Sequence, residues 1–219
     1  SMTFCLKTTI IKPEIIEPIN NAVILLHGYG GDGKDISLIT LNWKRFLPNT
    51  IFLCPNGHEE CPINPSGYQW FDLTRDEPKY ILEESIKAEK KLQQFIDEVK
   101  KEYNLKSSQI CLSGFSQGCM MSINLGLINT ENYNCVVGFS GKIINQEDLV
   151  NRKTSSTKML LIHGDLDAVV SPTHLLEAKD FLIRNNVEIE TKMIKDCEHN
   201  IPIEASSKAL NYIKTNFKI

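Results

Sequence analysis

Short apolar runs alternate along this chain with longer segments in which apolar residues recur every three or four positions. The runs at 21–27, 50–54, 109–112, 135–139 and 158–163 are almost wholly apolar, and they predict strands that are buried on both faces. Residues 187–194 alternate apolar and polar side chains, which is typical of an edge or half-exposed strand. An opening strand is predicted over residues 4–12.

Helices are predicted between these strands. The clearest is 80–103, where Leu82, Ile86, Leu92 and Phe95 follow three- and four-residue steps. Further helices are expected at 35–47, after Ser116, at 172–185 and from 202, whereas the proline-rich segment 55–78 is interpreted as a long loop. Strands alternating with helices predict an α/β fold, with a mostly parallel sheet covered on both faces by helices, in a single domain over residues 1–219.

Polar and glycine-rich segments follow several of the predicted strands directly. They contain Gly28–Gly33, Ser116, Asp165–Asp167 and residues 196–201. In open parallel sheets the ligand crevice lies beyond the carboxyl ends of the strands. We therefore expect these four segments to meet at one edge of the sheet.

The segment Gly114-Phe115-Ser116-Gln117-Gly118 has the Gly-x-Ser-x-Gly spacing of a nucleophile elbow. It lies between a predicted strand and a predicted helix, which is the context that the motif requires. A second segment, Gly138-Phe139-Ser140-Gly141, lacks the closing glycine, and Ser140 is interpreted as structural. Ser116 is therefore the candidate nucleophile.

Composition and charge argue against a nucleic-acid-binding, membrane-spanning, disulfide-bonded or metal-binding protein. The net charge of −3 gives no electrostatic reason to expect nucleic acid as a partner, and no apolar stretch has the length of a membrane span. Most of the seven cysteines lie in apolar runs, which favours reduced thiols and a cytoplasmic location. Cys54, His58 and Cys61 lack an evident fourth ligand, so no metal site is expected.

A serine nucleophile needs a base, and the base needs a carboxylate to orient it. Among five histidines, His199 lies late in the chain, in a loop between the last predicted strand and helix. Asp165 and Asp167 follow a strand and precede His199, so both fit the order serine, acid, histidine of an α/β-hydrolase.

Several segments together resemble the phospholipase/carboxylesterase family of α/β-hydrolases, which includes acyl-protein thioesterases and bacterial carboxylesterases. They are Leu26–Gly30, Gly67–Phe71, Gly114–Gly118, Val137–Gly141 and His163–Asp167, followed by Val169-Val170. The resemblance runs from residue 22 to the end of the chain. It implies Ser116 as nucleophile, Asp167 as acid and His199 as base, with the backbone N–H groups of Tyr29 and Gln117 as the oxyanion hole.

The resemblance implies a serine hydrolase that cleaves carboxylic esters or thioesters through an acyl-enzyme, without a cofactor. Its expected partner is a small-molecule ester or thioester, from a lipid or an acylated protein, and either a monomer or a homodimer is compatible with the sequence. A peptidase or lactone hydrolase with the same triad is an alternative, and a non-catalytic binding module on the same scaffold is another.

The aromatic and apolar residues of segment 55–78 are candidates for the wall of an acyl pocket. They are Ile63, Tyr68, Trp70 and Phe71. Trp70 and Phe71 are equally well explained as residues that hold a long loop against the core, because buried aromatic side chains contribute strongly to packing. Both interpretations are compatible with the sequence.

Overall fold

The computed structural model of the protein describes residues 3–219, so the first two residues of the predicted domain lie outside the described part. It contains the strands β1 (Thr8–Ile11), β2 (Asn21–Leu26), β3 (Thr50–Pro55), β4 (Glu59–Cys61), β5 (Asn64–Gln69), β6 (Ile110–Phe115), β7 (Cys135–Phe139), β8 (Met159–Gly164) and β9 (Ile189–Ile194). Seven of them form the main sheet in the order β1-β3-β2-β6-β7-β8-β9. β1 pairs antiparallel with β3, and the other neighbours pair in parallel. The predicted mostly parallel sheet is confirmed.

The helices are α1 (Gly33–Ile36), α2 (Pro78–Tyr103), α3 (Gln117–Ile128), α4 (Gln146–Arg152), α5 (Thr173–Arg184) and α6 (Ile203–Phe217). They cover both faces of the sheet. Apolar residues of α2, α3 and α5 pack on one face, where Ile24 and Leu26 point, and α6 packs on the other face with Val23 and Leu25. Both faces of β2 are therefore buried, as its continuous apolar run predicts.

The helix predicted at 35–47 is wrong. The structure has the single turn α1 followed by two 3-10 turns, Ser37–Asn42 and Lys44–Phe46. The Ser37 hydroxyl donates to the carbonyl of Lys34, and the Thr40 hydroxyl donates to the carbonyl of Ser37. Hydroxyl groups that bond local carbonyls compete with α-helical hydrogen bonds, which explains the tighter turns.

The long loop predicted at 55–78 is also partly wrong, because it contains the hairpin β4-β5. Pro62 lies in the turn of this hairpin, and Pro65 lies in a two-stranded ribbon where a missing N–H group is tolerated. The Tyr68 N–H donates to the carbonyl of Gly31, and the Gly30 N–H donates to the carbonyl of Tyr68. The hairpin thereby fixes the glycine-rich loop that follows β2.

The short helix α4 lies in a polar region for which no element is predicted. Its only buried residue is Leu149, so the region gives no helical pattern of apolar residues. The edge position predicted for 187–194 is confirmed by β9, which ends the main sheet. Within residues 3–219, no helix is both long and apolar enough to cross a lipid bilayer.

Candidate active site

Ser116 lies between β6 and α3 in a strained backbone conformation. Its φ of 56° and ψ of −115° fall in a region that non-glycine residues rarely adopt. The strained residue is held by its neighbours, because its N–H donates to the carbonyl of Phe139 and its carbonyl accepts from Met120 N–H. The geometry is that of a sharp strand-to-helix turn with the serine at its apex.

The two glycines of the motif allow this turn because backbone approaches them closely. A Cβ atom at Gly114 would lie 2.3 Å from the carbonyl carbon of Gly118, and one at Gly118 would lie 2.0 Å from the carbonyl oxygen of Leu26. Neither distance is possible for a real side chain. Any other residue would push α3 away from β2 and β6 and so displace Ser116.

His199 and Asp167 complete a continuous chain of hydrogen bonds with Ser116. The Nε2 atom of His199 lies 3.1 Å from the Oγ atom of Ser116, and Nδ1 lies 2.7 Å from Oδ2 of Asp167. Because a carboxylate only accepts, Nδ1 carries the hydrogen and Nε2 is free to accept the serine proton. The ring of Phe115 packs beside the imidazole, with 4.7 Å between the ring centres.

Asp167 is buried but well supplied with hydrogen-bond donors. Burial raises the pKa of its carboxyl group, but hydrogen bonds from His199 and from the N–H groups of Val170 and Val169 outweigh burial and hold the pKa below its ordinary value. Asp167 is therefore ionised at neutral pH and can stabilise a protonated His199.

A second histidine, His163, also contacts Asp167, and the sequence gives no sign of this contact. Its Nε2 atom lies 2.8 Å from the carbonyl of Val170 and 3.3 Å from Oδ2 of Asp167. Burial lowers the pKa of His163, so the ring is neutral at pH 7. Both neighbours are acceptors, and Nε2 therefore carries the hydrogen and donates to them.

Tyr29 and Gln117, whose N–H groups are the predicted oxyanion hole, line the same cavity as Ser116, one in the loop after β2 and the other in the first turn of α3. Within residues 3–219, neither N–H group donates to another backbone acceptor.

The Gln117 side chain has a separate role that sequence reasoning missed. Its Oε1 accepts from Trp70 N–H at 2.8 Å, and its Nε2 donates to the Phe71 carbonyl at 2.7 Å. Gln117 thereby fixes the segment after the hairpin to the nucleophile turn.

His27, which ends the apolar run of β2, holds the surrounding loops together. Its Nε2 accepts from the N–H of Gly57, so Nδ1 carries the hydrogen and donates to the carbonyl of Gly28 at 2.6 Å. Trp70 stacks on the imidazole ring at 5.0 Å, and its indole N–H donates to the carbonyl of His27. Both ring nitrogens of His27 are therefore occupied by backbone groups.

Two cavities lie next to His199. Cavity A, of about 380 Å³, contains Ser116 and Gln117 and has mainly apolar walls, among them Phe71, Leu73, Met120 and Ile144. Cavity B, of about 350 Å³, lies on the side of Asp32, Asp35 and Asn200 and does not include Ser116. The candidate reacting group therefore opens into cavity A, and cavity B adjoins His199 on the side that carries two aspartates.

The structure corrects most of the predicted acyl wall. Of the four candidates only Phe71 lines cavity A. Ile63 lies in the hairpin turn with 72% of its surface exposed, and Tyr68 lies in β5, which pairs with the glycine-rich loop. Trp70 is fully buried against His27. Tyr68 and Trp70 support the loops, and the walls of cavity A come mainly from α2, α3, the segment after β5 and the loops after β2, β7 and β8.

Cys54, His58 and Cys61 do not form a candidate metal site. Among the described residues no group of three or more histidine, cysteine or acidic side chains is arranged to bind a metal ion. The seven cysteines are free thiols.

Comparison with known proteins gives a consistent set of relatives. Residues 8–217 match the family described as Phospholipase/Carboxylesterase. Esterase YpfH of Escherichia coli (strain K12) is 24% identical over 203 residues, which cover 90% of this chain and 84% of the relative. Acyl-protein thioesterase 1 of Schizosaccharomyces pombe is 27% identical over 200 residues, which cover 86% of each chain.

The structure is also similar to solved structures. The crystal structure of esterase PE8 superposes with a TM-score of 0.91 at 32% identity, covering 96% of this chain and 98% of that one. A phospholipase/carboxylesterase from Dyadobacter fermentans has a TM-score of 0.72 at 20% identity, which shows a shared fold. The α/β-hydrolase fold is thus confirmed.

Proposed function

The chain belongs to the phospholipase/carboxylesterase family, and we propose that it is a serine hydrolase that cleaves carboxylic esters or thioesters through an acyl-enzyme. The observation that carries this proposal is the unbroken chain of hydrogen bonds from Ser116 through His199 to Asp167. A binding module would have no physical need for a strained serine that is hydrogen-bonded to an oriented imidazole.

In the first half of the reaction, the Ser116 Oγ atom attacks the carbonyl carbon of the substrate while His199 Nε2 takes its proton. Asp167 stabilises the imidazolium that forms. The N–H groups of Tyr29 and Gln117 donate to the oxyanion, supported by the positive end of α3. The tetrahedral intermediate then collapses, His199 returns the proton to the leaving oxygen or sulfur, and the acyl group remains on Ser116.

In the second half, water attacks the acyl-enzyme by the same route. His199 removes a proton from water, the new oxyanion occupies the same donors, and the Ser116 oxygen leaves with the proton that His199 returns. The products are the carboxylic acid and the free enzyme. Each proton and bond is accounted for by these side chains, so no cofactor takes part in the proposed reaction.

The two cavities have different roles in this reaction. In the acyl-enzyme the acyl group is bonded to Ser116, so it occupies cavity A, the cavity that contains this residue. The leaving group receives its proton from His199, which also lines cavity B, and it departs on that side. This assignment places the apolar part of the substrate against Phe71, Met120 and Ile144.

The volume of cavity A favours short and medium acyl chains. Its 380 Å³ lies at the lower end of the roughly 300–1,000 Å³ typical of ligand pockets, and at about 30 Å³ per water-sized group it holds about a dozen such groups. Each buried methylene contributes about 0.8 kcal/mol, or roughly fourfold in kcat/KM, until the cavity is full.

The chain-length preference is tested with p-nitrophenyl esters of graded length. Met120→Phe, which narrows cavity A, should shift the optimum to shorter chains, whereas Ile63→Ala, in the exposed hairpin turn, should leave it unchanged. A shifted optimum in the Ile63 variant alone would assign the acyl chain to the hairpin instead.

The proposed activity is tested with two matched serine variants. Ser116 and Ser140 both follow a strand and both have a φ of 56°. Ser116→Ala should reduce turnover of p-nitrophenyl butyrate by at least about 10³-fold, because the nucleophile is lost. Ser140→Ala should retain turnover within a few-fold. Comparable activity in wild type and Ser116→Ala would disprove the assignment of Ser116 as nucleophile. If Ser116→Ala is inactive, a panel of peptides and lactones separates an esterase from a peptidase or lactone hydrolase with the same triad.

A further inference from the structure

A lysine lines cavity A, whose walls are mainly apolar. Lys142 follows the sharp turn after β7 and is half-buried, and it shares the wall of the cavity with Ser116, Met120 and Ile144. Of the lining residues it is the one with a permanent charge at neutral pH. Within residues 3–219, its ammonium group has no acidic partner within ion-pair distance.

The turn that carries Lys142 is held tightly against the nucleophile helix. Ser140 has a φ of 56°, and its N–H donates to the carbonyl of Ile162. A Cβ atom at Gly141 would lie 2.5 Å from the sulfur of Cys119 and 3.1 Å from the carbonyl oxygen of Ser116. This packing fixes the backbone next to Lys142 directly behind Ser116.

The charge in cavity A contrasts with that of cavity B. Cavity B has the carboxylates of Asp32 and Asp35 on its wall, whereas cavity A has Lys142. Among the described residues Lys142 has no acidic partner of its own, and next to mainly apolar walls the attraction between its charge and a bound anion is stronger than in bulk water. The same field disfavours an anionic group on the side of the aspartates.

Resting on the proposed function, we propose that Lys142 determines specificity for esters whose acyl chain ends in a carboxylate, that is, for monoesters of dicarboxylic acids. The apolar walls contact the methylene chain, the ester carbonyl lies at Ser116, and the distal carboxylate pairs with the Lys142 ammonium. The reaction itself is unchanged, and the product is a dicarboxylate.

The test compares two esters with the same leaving group. Mono-p-nitrophenyl adipate carries a terminal carboxylate, and p-nitrophenyl heptanoate is a neutral ester of similar chain length. Lys142→Met should lower the ratio of kcat/KM for adipate over heptanoate at least about tenfold, which corresponds to about 1.4 kcal/mol. Lys142→Glu should lower this ratio further, and Lys142→Arg should keep it within about threefold of wild type because the positive charge remains. Added NaCl should weaken the wild-type preference.

The matched control is Lys90→Met on the exposed side of α2, which changes the net charge equally but lies in a different groove. The ratio of kcat/KM for adipate over heptanoate should be the same in Lys90→Met as in wild type. A third substrate, the heptanoate ester of 4-hydroxybenzoate, carries the carboxylate on the leaving group and should show no dependence on Lys142.

Three outcomes would overturn the proposal. An adipate-to-heptanoate ratio that is the same in wild type and Lys142→Met would remove Lys142 as a determinant. A dependence on Lys142 that appears only with the 4-hydroxybenzoate ester would move the anion to the leaving group. When wild type cleaves the heptanoate ester, either of these two results refutes the role of Lys142 and leaves the proposed hydrolase activity intact. The third outcome, a wild-type protein that cleaves neither ester, would refute the proposed function as well. Melting temperatures of each variant identify a folding defect.

Discussion

Replacement of Asp167 by asparagine tests the proposed roles at the acid most sharply, because the two side chains have the same size. The Oδ1 atom of Asp167 accepts the N–H groups of Val169 and Val170, and an asparagine oxygen can keep both bonds. The Oδ2 atom, 2.7 Å from His199 Nδ1, is replaced by an amide NH₂ group. The amide group can only donate there, so His199 Nδ1 must become an acceptor.

This change reverses the tautomer of His199. With Nδ1 accepting, the ring hydrogen moves to Nε2, the atom that lies 3.1 Å from Ser116 Oγ and must take its proton. We expect kcat to fall about 10³–10⁴-fold, or about 4–5.5 kcal/mol, while substrate binding in cavity A is retained. The new amide also faces the Nε2–H of His163 at the present 3.3 Å, which places two donors opposite each other.

The effect on stability is smaller and depends on pH. Loss of one charge-assisted hydrogen bond, about 2 kcal/mol, lowers Tm by about 4–8 °C in a protein of this size. Burial raises the pKa of Asp167, but its hydrogen bonds outweigh burial and hold it below the ordinary 3.8. A depressed pKa contributes stability above the ordinary value and loses it as pH falls through the folded value. The Tm difference between wild type and Asp167→Asn should be constant from about pH 5 to 8 and should narrow below about pH 4.

The assay is steady-state hydrolysis of p-nitrophenyl butyrate with Asp165→Asn as the matched control. Asp165 is exposed, and its carboxylate accepts a 3.3 Å hydrogen bond from Cys197 N–H in the loop of His199. Its variant should lose far less activity than Asp167→Asn. If Asp165→Asn is the more damaged enzyme, or if Asp167→Asn retains kcat within tenfold, the tautomer argument is refuted.

Stability measurements test the packing of the scaffold. Gly118→Ala should lower the free energy of unfolding in urea by about 3 kcal/mol, because the added Cβ would lie 2.0 Å from the Leu26 carbonyl oxygen. This loss is expected although alanine normally stabilises a helix by about 1 kcal/mol relative to glycine. The added Cβ of Gly126→Ala, in the same helix, would meet side-chain atoms instead, so this variant should lose less stability. A larger loss in Gly126→Ala than in Gly118→Ala would contradict this explanation. Arg152→Met should cost about 3–5 kcal/mol because it leaves the buried carboxylate of Glu89 without its ion pair. Glu89→Gln/Arg152→Met should recover part of this loss, and a double variant no more stable than Arg152→Met would refute the explanation.

Much of the fold follows from patterns that lie within single segments. The three- and four-residue spacing of Leu82, Ile86, Leu92 and Phe95 predicts a helix, and α2 spans Pro78–Tyr103. The all-apolar runs predict the central strands because both of their faces are covered by helices. The 3-10 turns at 37–46 and the hairpin β4-β5 could not be predicted in this way. They depend on hydroxyl-to-carbonyl bonds and on pairing with the distant glycine-rich loop.

The candidate site likewise has residues that the sequence predicts and contacts that it does not. The order of Ser116, Asp167 and His199 along the chain predicts their meeting, because parallel strands bring their following loops to one edge, and the structure places them in hydrogen-bond contact. Their chemical roles stay predictions. The Gln117 side chain, by contrast, bonds residues 46 and 47 positions away, and no local pattern indicates such a contact. The contact of His163 with Asp167 likewise depends on the loop after β8.

The most direct test of the account is to locate the covalent adduct of a fluorophosphonate probe by mass spectrometry. The probe reacts only with a serine that an adjacent base has activated, so it reports the nucleophile without any assumption about the substrate. We predict one adduct per chain, on the peptide containing Ser116, and no labelling of Ser116→Ala or of heat-unfolded protein. Absence of labelling in the folded wild-type protein, or an adduct on another serine such as Ser140, would contradict the proposal that Ser116 is the nucleophile of a hydrolase.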